Sequence, residues 1–239
     1  MQPLQKLSVV IPAYNEEKRI RTALEQILKY FKDRDHEYEI LVVNDGSTDQ
    51  TAAVAREVLK GCPFQILDIQ PNRGKGNAVK TGMLKAAGDL ILFTDADLST
   101  PIEEFDKFIR AHGQGYDVVI GSRDLPDSKV EVHQAPLREL MGKVFNLIAR
   151  MLTFRGIHDS QCGFKSFTHA AARQLFSLQK IDGFSFDAEL LYLCQRKGYR
   201  LLECPVTWRN EPQSRVRIVS DPIKMFLDLI RIRWIHRNL

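Results

Sequence analysis

Little in this chain points to a secreted, membrane-spanning or multidomain protein. It has four cysteines, Cys62, Cys162, Cys194 and Cys204, in 239 residues. None forms a C-x-x-C pair, and none stands at metal-ligand spacing from a histidine. They read as ordinary thiols of a reducing compartment. No stretch approaches the ~18 uninterrupted apolar residues of a membrane span. Residues 1–6 lack the charged-then-apolar leader of a secretory signal. The expected location is cytoplasmic, or peripheral on the cytoplasmic face of a membrane. No Gly-, Ser- or Pro-rich linker, repeat or low-complexity tract divides the chain, so one domain over residues 1–239 is expected. The nucleotide-loop signatures are missing as well. The run Gly74-Lys75-Gly76 would need a third glycine where Val79 stands, and Lys80-Thr81 lacks the preceding glycine of a phosphate-binding loop. His133, His158 and His169 share no site-like spacing, and nothing calls for a nucleic-acid partner.

What is present is a regular alternation. Apolar runs at residues 7–12, 38–44, 64–69, 90–94 and 118–121 are separated by helical patterns at 16–31, 47–60, 76–87 and 102–111. Ser47 or Thr48 is placed to cap the second helix. Strands that are apolar throughout, with helices between them, imply a mostly parallel sheet covered on both faces. The second half reads less regularly: a helix over 137–154, a strand over 162–167, a helix over 186–197 stopped by Gly198, and a strand over 201–208 broken at Pro205 and so near an edge. A polar loop at 210–217 precedes a closing helix, 221–238.

Ligands of such sheets bind beyond the carboxyl ends of the strands. Every one of those ends is polar here: Pro12-Ala13-Tyr14-Asn15-Glu16, Asn44-Asp45-Gly46-Ser47, Asn72-Arg73-Gly74-Lys75-Gly76, Asp95-Ala96-Asp97 and Gly121-Ser122-Arg123. Asp95 and Asp97 point to one side of a strand end, and two adjacent carboxylates repel unless a cation or proton joins them. Hard oxygen ligands suit Mg²⁺ or Mn²⁺, with phosphate oxygens completing the shell. Asp45 is placed to accept bonds from a base or ribose edge, or simply to turn the chain. The glycines around Lys75 suit an anion at a helix start, and equally a strand-to-helix turn.

Together these blocks resemble the family 2 glycosyltransferases of the A-type fold, a Rossmann-like α/β sheet. Asp159-Ser160-Gln161-Cys162-Gly163-Phe164-Lys165 and Phe186-Asp187-Ala188-Glu189-Leu190-Leu191 resemble the polyprenyl-phosphate sugar transferases. Pro205-Val206-Thr207-Trp208 and Ser220-Asp221-Pro222-Ile223-Lys224-Met225 look closer to the dolichyl-phosphate glucosyltransferase branch than to the mannosyltransferases. The resemblance implies a nucleotide-sugar half (1–124), an acceptor half (125–220) and a basic amphipathic helix (221–239). It implies an inverting transfer of a sugar, glucose from UDP-glucose before mannose from GDP-mannose, onto a polyprenyl or dolichyl phosphate. Pro12, Ala13, Tyr14, Glu16 and Asp45 would hold the nucleoside. Asp95 and Lys75 would orient the donor, Asp97 would ligate the metal, and Ser99 stands where some relatives place a longer metal contact. Arg123 and Arg138 would meet the acceptor phosphate, and Arg209 and Arg215 would close over the donor. A non-lipid, hydroxyl acceptor would instead require a catalytic base, for which Asp187 and Glu189 are the candidates.

The closing helix carries one apolar stripe of Ile223, Phe226, Leu227, Ile230 and Trp234 and a second of Met225, Leu229 and Ile232. Docking on the core, a homodimer contact and a membrane surface all remain open for it.

Overall fold

The computed structural model describes residues 6–32, 34–132, 136–210 and 220–239. The elements run β1 (Lys6–Ala13), α1 (Ile20–Lys32), β2 (Glu37–Asp45), α2 (Thr51–Val58), β3 (Phe64–Ile69), α3 (Lys75–Lys85), β4 (Leu90–Thr94), a 3₁₀ turn (Ile102–Glu104), α4 (Phe105–Gly113), β5 (Val118–Ser122), β6 (Lys129–Val132), α5 (Pro136–Leu152), β7 (Phe164–Thr168), α6 (His169–Leu178), α7 (Phe186–Arg196), β8 (Leu201–Pro205), β9 (Thr207–Arg209) and α8 (Ser220–Ile235).

Seven strands form one sheet in the order β3-β2-β1-β4-β7-β5-β8. β1 is buried from Leu7 to Ala13, because its neighbours β2 and β4 flank it and helices cover both faces. Val10 packs with α3, α6 and α7 on one face, while Val9 and Ile11 pack with α1 and α4 on the other. This is the alternation of a doubly covered strand.

The structure departs from the sequence reading in four places. β7, expected only as a strand, runs antiparallel to both β4 and β5, so the sheet is mostly but not wholly parallel. α6 follows β7 directly, with the Thr168 side chain accepting from the Ala171 N–H as its cap. The strand expected over 201–208 divides at Pro205: β8 closes the edge of the sheet, and β9 pairs with β6 in a separate ribbon. Finally, α2 begins at Thr51 rather than Ser47. Ser47 and Thr48 face the loop after β1 instead, where Ser47 Oγ accepts from Asn15 N at 2.9 Å and Thr48 N donates to Asn15 Oδ1 at 2.8 Å. These bonds stitch together the first two carboxyl-end loops and hold Asn15 at φ 55°.

The closing helix resolves into two faces. Leu229 and Ile232 are buried in the core, whereas Phe226, Leu227, Ile230 and Trp234 are exposed. Its last turn is fastened from within: His236 Nε2 lies 2.6 Å from Glu189 Oε1, and both side chains are buried.

Candidate active site

The carboxyl ends of β1, β2 and β4 bring a line of alternating charges to one rim of the sheet. Lys75 Nζ, from the first turn of α3, lies 2.6 Å from Asp95 Oδ1. Arg19, from the turn before α1, lies 3.5 Å from Asp97 Oδ2 and grips Glu16 with two bonds of 2.7 Å. Behind Lys75, the fully buried Lys165 of β7 meets Asp187 at 2.6 Å and donates to the Cys162 carbonyl at 2.6 Å. Burial works against the charge on Lys75, but Asp95, Asp187 and Asp97 outweigh it and raise its pKa. Burial, with the charge of Asp95 beside it, raises the pKa of Asp97 against the opposing bonds from Ser99 and the charge of Arg19. Burial likewise raises that of Asp187, in spite of Lys165 and Lys75. Along the rim, burial first and neighbouring carboxylate charge second oppose ionisation of these acids.

The backbone holds this line in place. Asp95 N donates to the Gly163 carbonyl at 3.2 Å, and Leu98 adopts φ 47°, an uncommon conformation for a leucine, between Asp97 and Ser99. Ser99 N donates to Asp97 Oδ1 at 3.0 Å, and Ser99 O accepts from Arg209 N at 2.8 Å. A Cβ on Gly163 would stand 2.0 Å from Asp95 Oδ2. Gly163→Ala is thus expected to push the Asp95 carboxylate off Lys75 and reduce turnover by about a hundredfold, with a small loss of thermal stability. Paired kinetic and melting measurements would check it, and unchanged kcat would count against it.

Other expected residues sit differently from their sequence reading. Asp45 is buried, and its two oxygens accept from Arg73 N at 2.9 Å and Gly74 N at 2.8 Å. It anchors the loop that delivers Lys75. Gly74 and Gly76 abut the 181–183 backbone, where an added Cβ would come within 2.6 Å of the Asp182 and Ile181 carbonyls respectively. Close packing, as well as turn geometry, therefore accounts for them. Pro12 and Ala13 are buried at the end of β1, and Tyr14 is exposed beside them. Arg123 is turned onto buried Asp159 by two bonds, Nε at 2.6 Å and Nη2 at 2.8 Å. Arg123 holds that carboxyl down at about 2, although burial alone would raise it. Arg209 pairs with Glu131 on the β6–β9 ribbon rather than with the carboxylate rim. The Arg138 side chain and Arg215 lie outside the described residues.

Asp187 and Glu189 are both buried. Glu189 accepts from Lys180 N and Ile181 N, each at 2.8 Å, besides meeting His236. Sequence reasoning missed Arg19, whose spacing of three from Glu16 was the available signal, and Asp159 and Lys165, whose partners are far away in the chain. Among the described residues, no three His, Cys, Asp or Glu side chains converge as a metal cage. None of the described helices is long and apolar enough to cross a membrane.

The fold has solved counterparts. Glucosyl-3-phosphoglycerate synthase of Mycobacterium tuberculosis, crystallised with Mn²⁺, UDP and glucosyl-3-phosphoglycerate, superposes with TM-score 0.67 at 21% identity, over 95% of this chain and 78% of that one. This chain has the A-type glycosyltransferase fold. The family model described as "Glycosyl transferase family 2" matches residues 8–176. A dolichyl-phosphate beta-glucosyltransferase of Trichomonas vaginalis is 37% identical over 99% of this chain and 75% of its own length. One of Dictyostelium discoideum is 35% identical over 95% of this chain and 74% of its own length. The chain belongs to glycosyl transferase family 2 and, within it, to the group that bears the name of these relatives.

Proposed function

We propose that this chain transfers glucose from UDP-glucose, with inversion, onto the phosphate of a dolichyl or other polyprenyl lipid, and that it uses Mg²⁺ or Mn²⁺. The names of the relatives support the donor sugar and the acceptor. The observation that carries the chemistry is the pairing of Lys75–Asp95 with Asp97–Arg19 along one rim. The two carboxylates fit a divalent ion: both offer hard oxygens at one strand end, where burial and the charge of Asp95 oppose ionisation of Asp97 and a bound cation would favour it. Asp97 and Asp95 would hold the ion, with the diphosphate completing its shell. When bound, it would supply charge stabilisation to the departing diphosphate. Ser99 acts in this reading by fixing Asp97 through its N–H.

Lys75 keeps Asp95 oriented and offers its charge to the same diphosphate. Pro12, Ala13, Tyr14 and Glu16 border the nucleoside, and Asp45 contributes by holding the Lys75 loop. Arg209 and Arg215 are assigned to closure over the donor. A lipid phosphate is already ionised at neutral pH, so attack on the anomeric carbon needs positioning and charge neutralisation rather than a base. The burial of Asp187 and Glu189 supports that choice over a hydroxyl acceptor. Arg123, whose Nε and Nη2 edge is held by Asp159, would meet the acceptor phosphate with its remaining N–H groups, together with Arg138.

The test is a donor screen with UDP-glucose and GDP-mannose, polyprenyl phosphate and either metal, reading out the lipid-linked sugar. UDP-glucose is expected to yield glucosyl lipid. Product from GDP-mannose alone, or glucose appearing only on a water-soluble acceptor, would overturn the assignment.

A further inference from the structure

Lys75 reaches the rim from the first turn of α3, and that turn leans on a distant part of the chain, residues 179–183 between α6 and α7. The fully buried Gln179 side chain donates through Nε2 to the Gly76 carbonyl at 2.9 Å and to the Ile181 carbonyl at 2.8 Å. Two carbonyls can be met only by the NH₂ end of the amide, and Gln179 Oε1 is left without a partner among the described residues. Asn77 N donates to the Asp182 carbonyl at 3.2 Å, and Lys80 Nζ to the Gln179 carbonyl at 2.7 Å. No Cβ fits between the two backbones at Gly74 or Gly76. A shift of residues 179–183 is therefore a shift of the turn that carries Lys75.

The same segment is held from its other side. Glu189 of α7, fully buried, accepts from Lys180 N through Oε1 and from Ile181 N through Oε2, each at 2.8 Å. His236, one residue past α8, places Nε2 2.6 Å from the same Oε1 and is buried with it. Around these groups the core is apolar, built from Ile181, Phe186, Leu229 and Ile232 among others. A hydrogen-bonded network in such surroundings fixes directions that an apolar filling leaves free. The directions fixed here run without a gap from the end of α8, through α7 and residues 179–183, to the side chain that meets Asp95 at 2.6 Å.

We infer that Gln179, Glu189 and His236 are positioning residues for Lys75, a role that rests on the donor reading proposed above. They fix where its ammonium stands against the donor diphosphate, without touching the diphosphate themselves. Donor affinity is thereby tied to the seating of α8 on the core.

On the full chain, UDP binding with Mn²⁺ is measured by calorimetry, and KM is measured separately for UDP-glucose and polyprenyl phosphate. His236→Phe and Gln179→Met each keep the side-chain volume but remove the hydrogen-bond donor. Each should raise the Kd for UDP and the KM for UDP-glucose about tenfold and leave the KM for polyprenyl phosphate unchanged. His236→Gln, whose amide nitrogen reaches about as far as the ring Nε2, should bring the donor constants back to within about twofold of the parent. Phe108→Leu, in the core on the opposite face of the sheet, should lower the melting temperature without moving them. In the unaltered chain, saturation with UDP and Mn²⁺ should slow amide hydrogen exchange at Lys180 and Ile181 about tenfold, because coupling is reciprocal. Unchanged donor constants in His236→Phe and Gln179→Met, in a parent that binds UDP, would overturn the inference and leave the transfer reading intact. Equal rises in donor and acceptor KM, or a matching rise in Phe108→Leu, would overturn it as well. Exchange indifferent to UDP would do so even where a variant fails to fold. A parent that binds no UDP would remove the transfer reading, and this inference with it.

Discussion

Asp97→Asn is expected to cut metal-dependent release of nucleoside diphosphate by at least about a hundredfold, the scale seen when one charge-stabilising group is removed, while making the metal-free protein harder to melt. The first effect follows from the loss of an anionic oxygen ligand at the rim. The second follows from linkage. Burial and the charge of Asp95 raise the folded pKa of Asp97, so the folded state binds this proton more tightly than the unfolded chain does. The stabilisation from protonated Asp97 is fully present below the ordinary carboxylate pKa and is lost as pH rises through the raised folded value. Above that window the ionised side chain destabilises the metal-free fold, and a neutral isostere removes the penalty. Melting curves at pH 7 should therefore place the variant above the parent without metal. Adding Mn²⁺ and UDP should reverse the order, because only the parent gains from binding. Full turnover by the variant would remove Asp97 from the metal site.

Lys165→Met is expected to destabilise the fold by about 3–5 kcal/mol, the cost of leaving a buried partner unpaired. For a chain of this size that is roughly 10 °C of melting temperature. Lys165 is wholly buried between β4 and β5, and its ammonium is held by Asp187 and the Cys162 carbonyl. Without it, Asp187 faces a low-dielectric interior with only Lys75 nearby, and its already raised pKa climbs further. Replacing both, Lys165→Met with Asp187→Leu, should recover much of the stability in urea unfolding, as apolar substitutes for buried pairs often do. It should not recover turnover, since Lys75 then loses the attraction of Asp187, one of the charges that hold its ammonium at the rim beside Asp95. A double variant as active as the parent would show that the pair has no influence on the rim.

Much of this was legible because the signals were local. Asp95 and Asp97 stand out in sequence since they follow five buried residues of β4, and polar groups at the end of such a strand have no core to enter. The same logic found the ends of β1, β2 and β5. Lys165 was invisible for the opposite reason. In Phe164-Lys165-Ser166-Phe167 a lysine in an alternating strand reads as solvent-facing, and only the insertion of β7 at the centre of the sheet buries it. Strand direction leaves no trace in an apolar pattern, so the antiparallel pairing was equally hidden. Asp45 was recognised as a rim acid, but its partners Arg73 N and Gly74 N lie 28 and 29 residues away. The two stripes of α8 were both visible; which one faced outward depended on Glu189 holding His236.

The reversed strand at the centre also governs the order in which the molecule can assemble. β3, β2, β1 and β4 are contiguous neighbours from the first part of the chain, so they can associate as soon as they leave the ribosome. β5 is synthesised next but touches none of them; its bonds run to β7 and β8. Until residue 168 has emerged, β4 presents an unpaired edge and β5 waits without a neighbour, the condition in which nascent sheets are most prone to stick to one another.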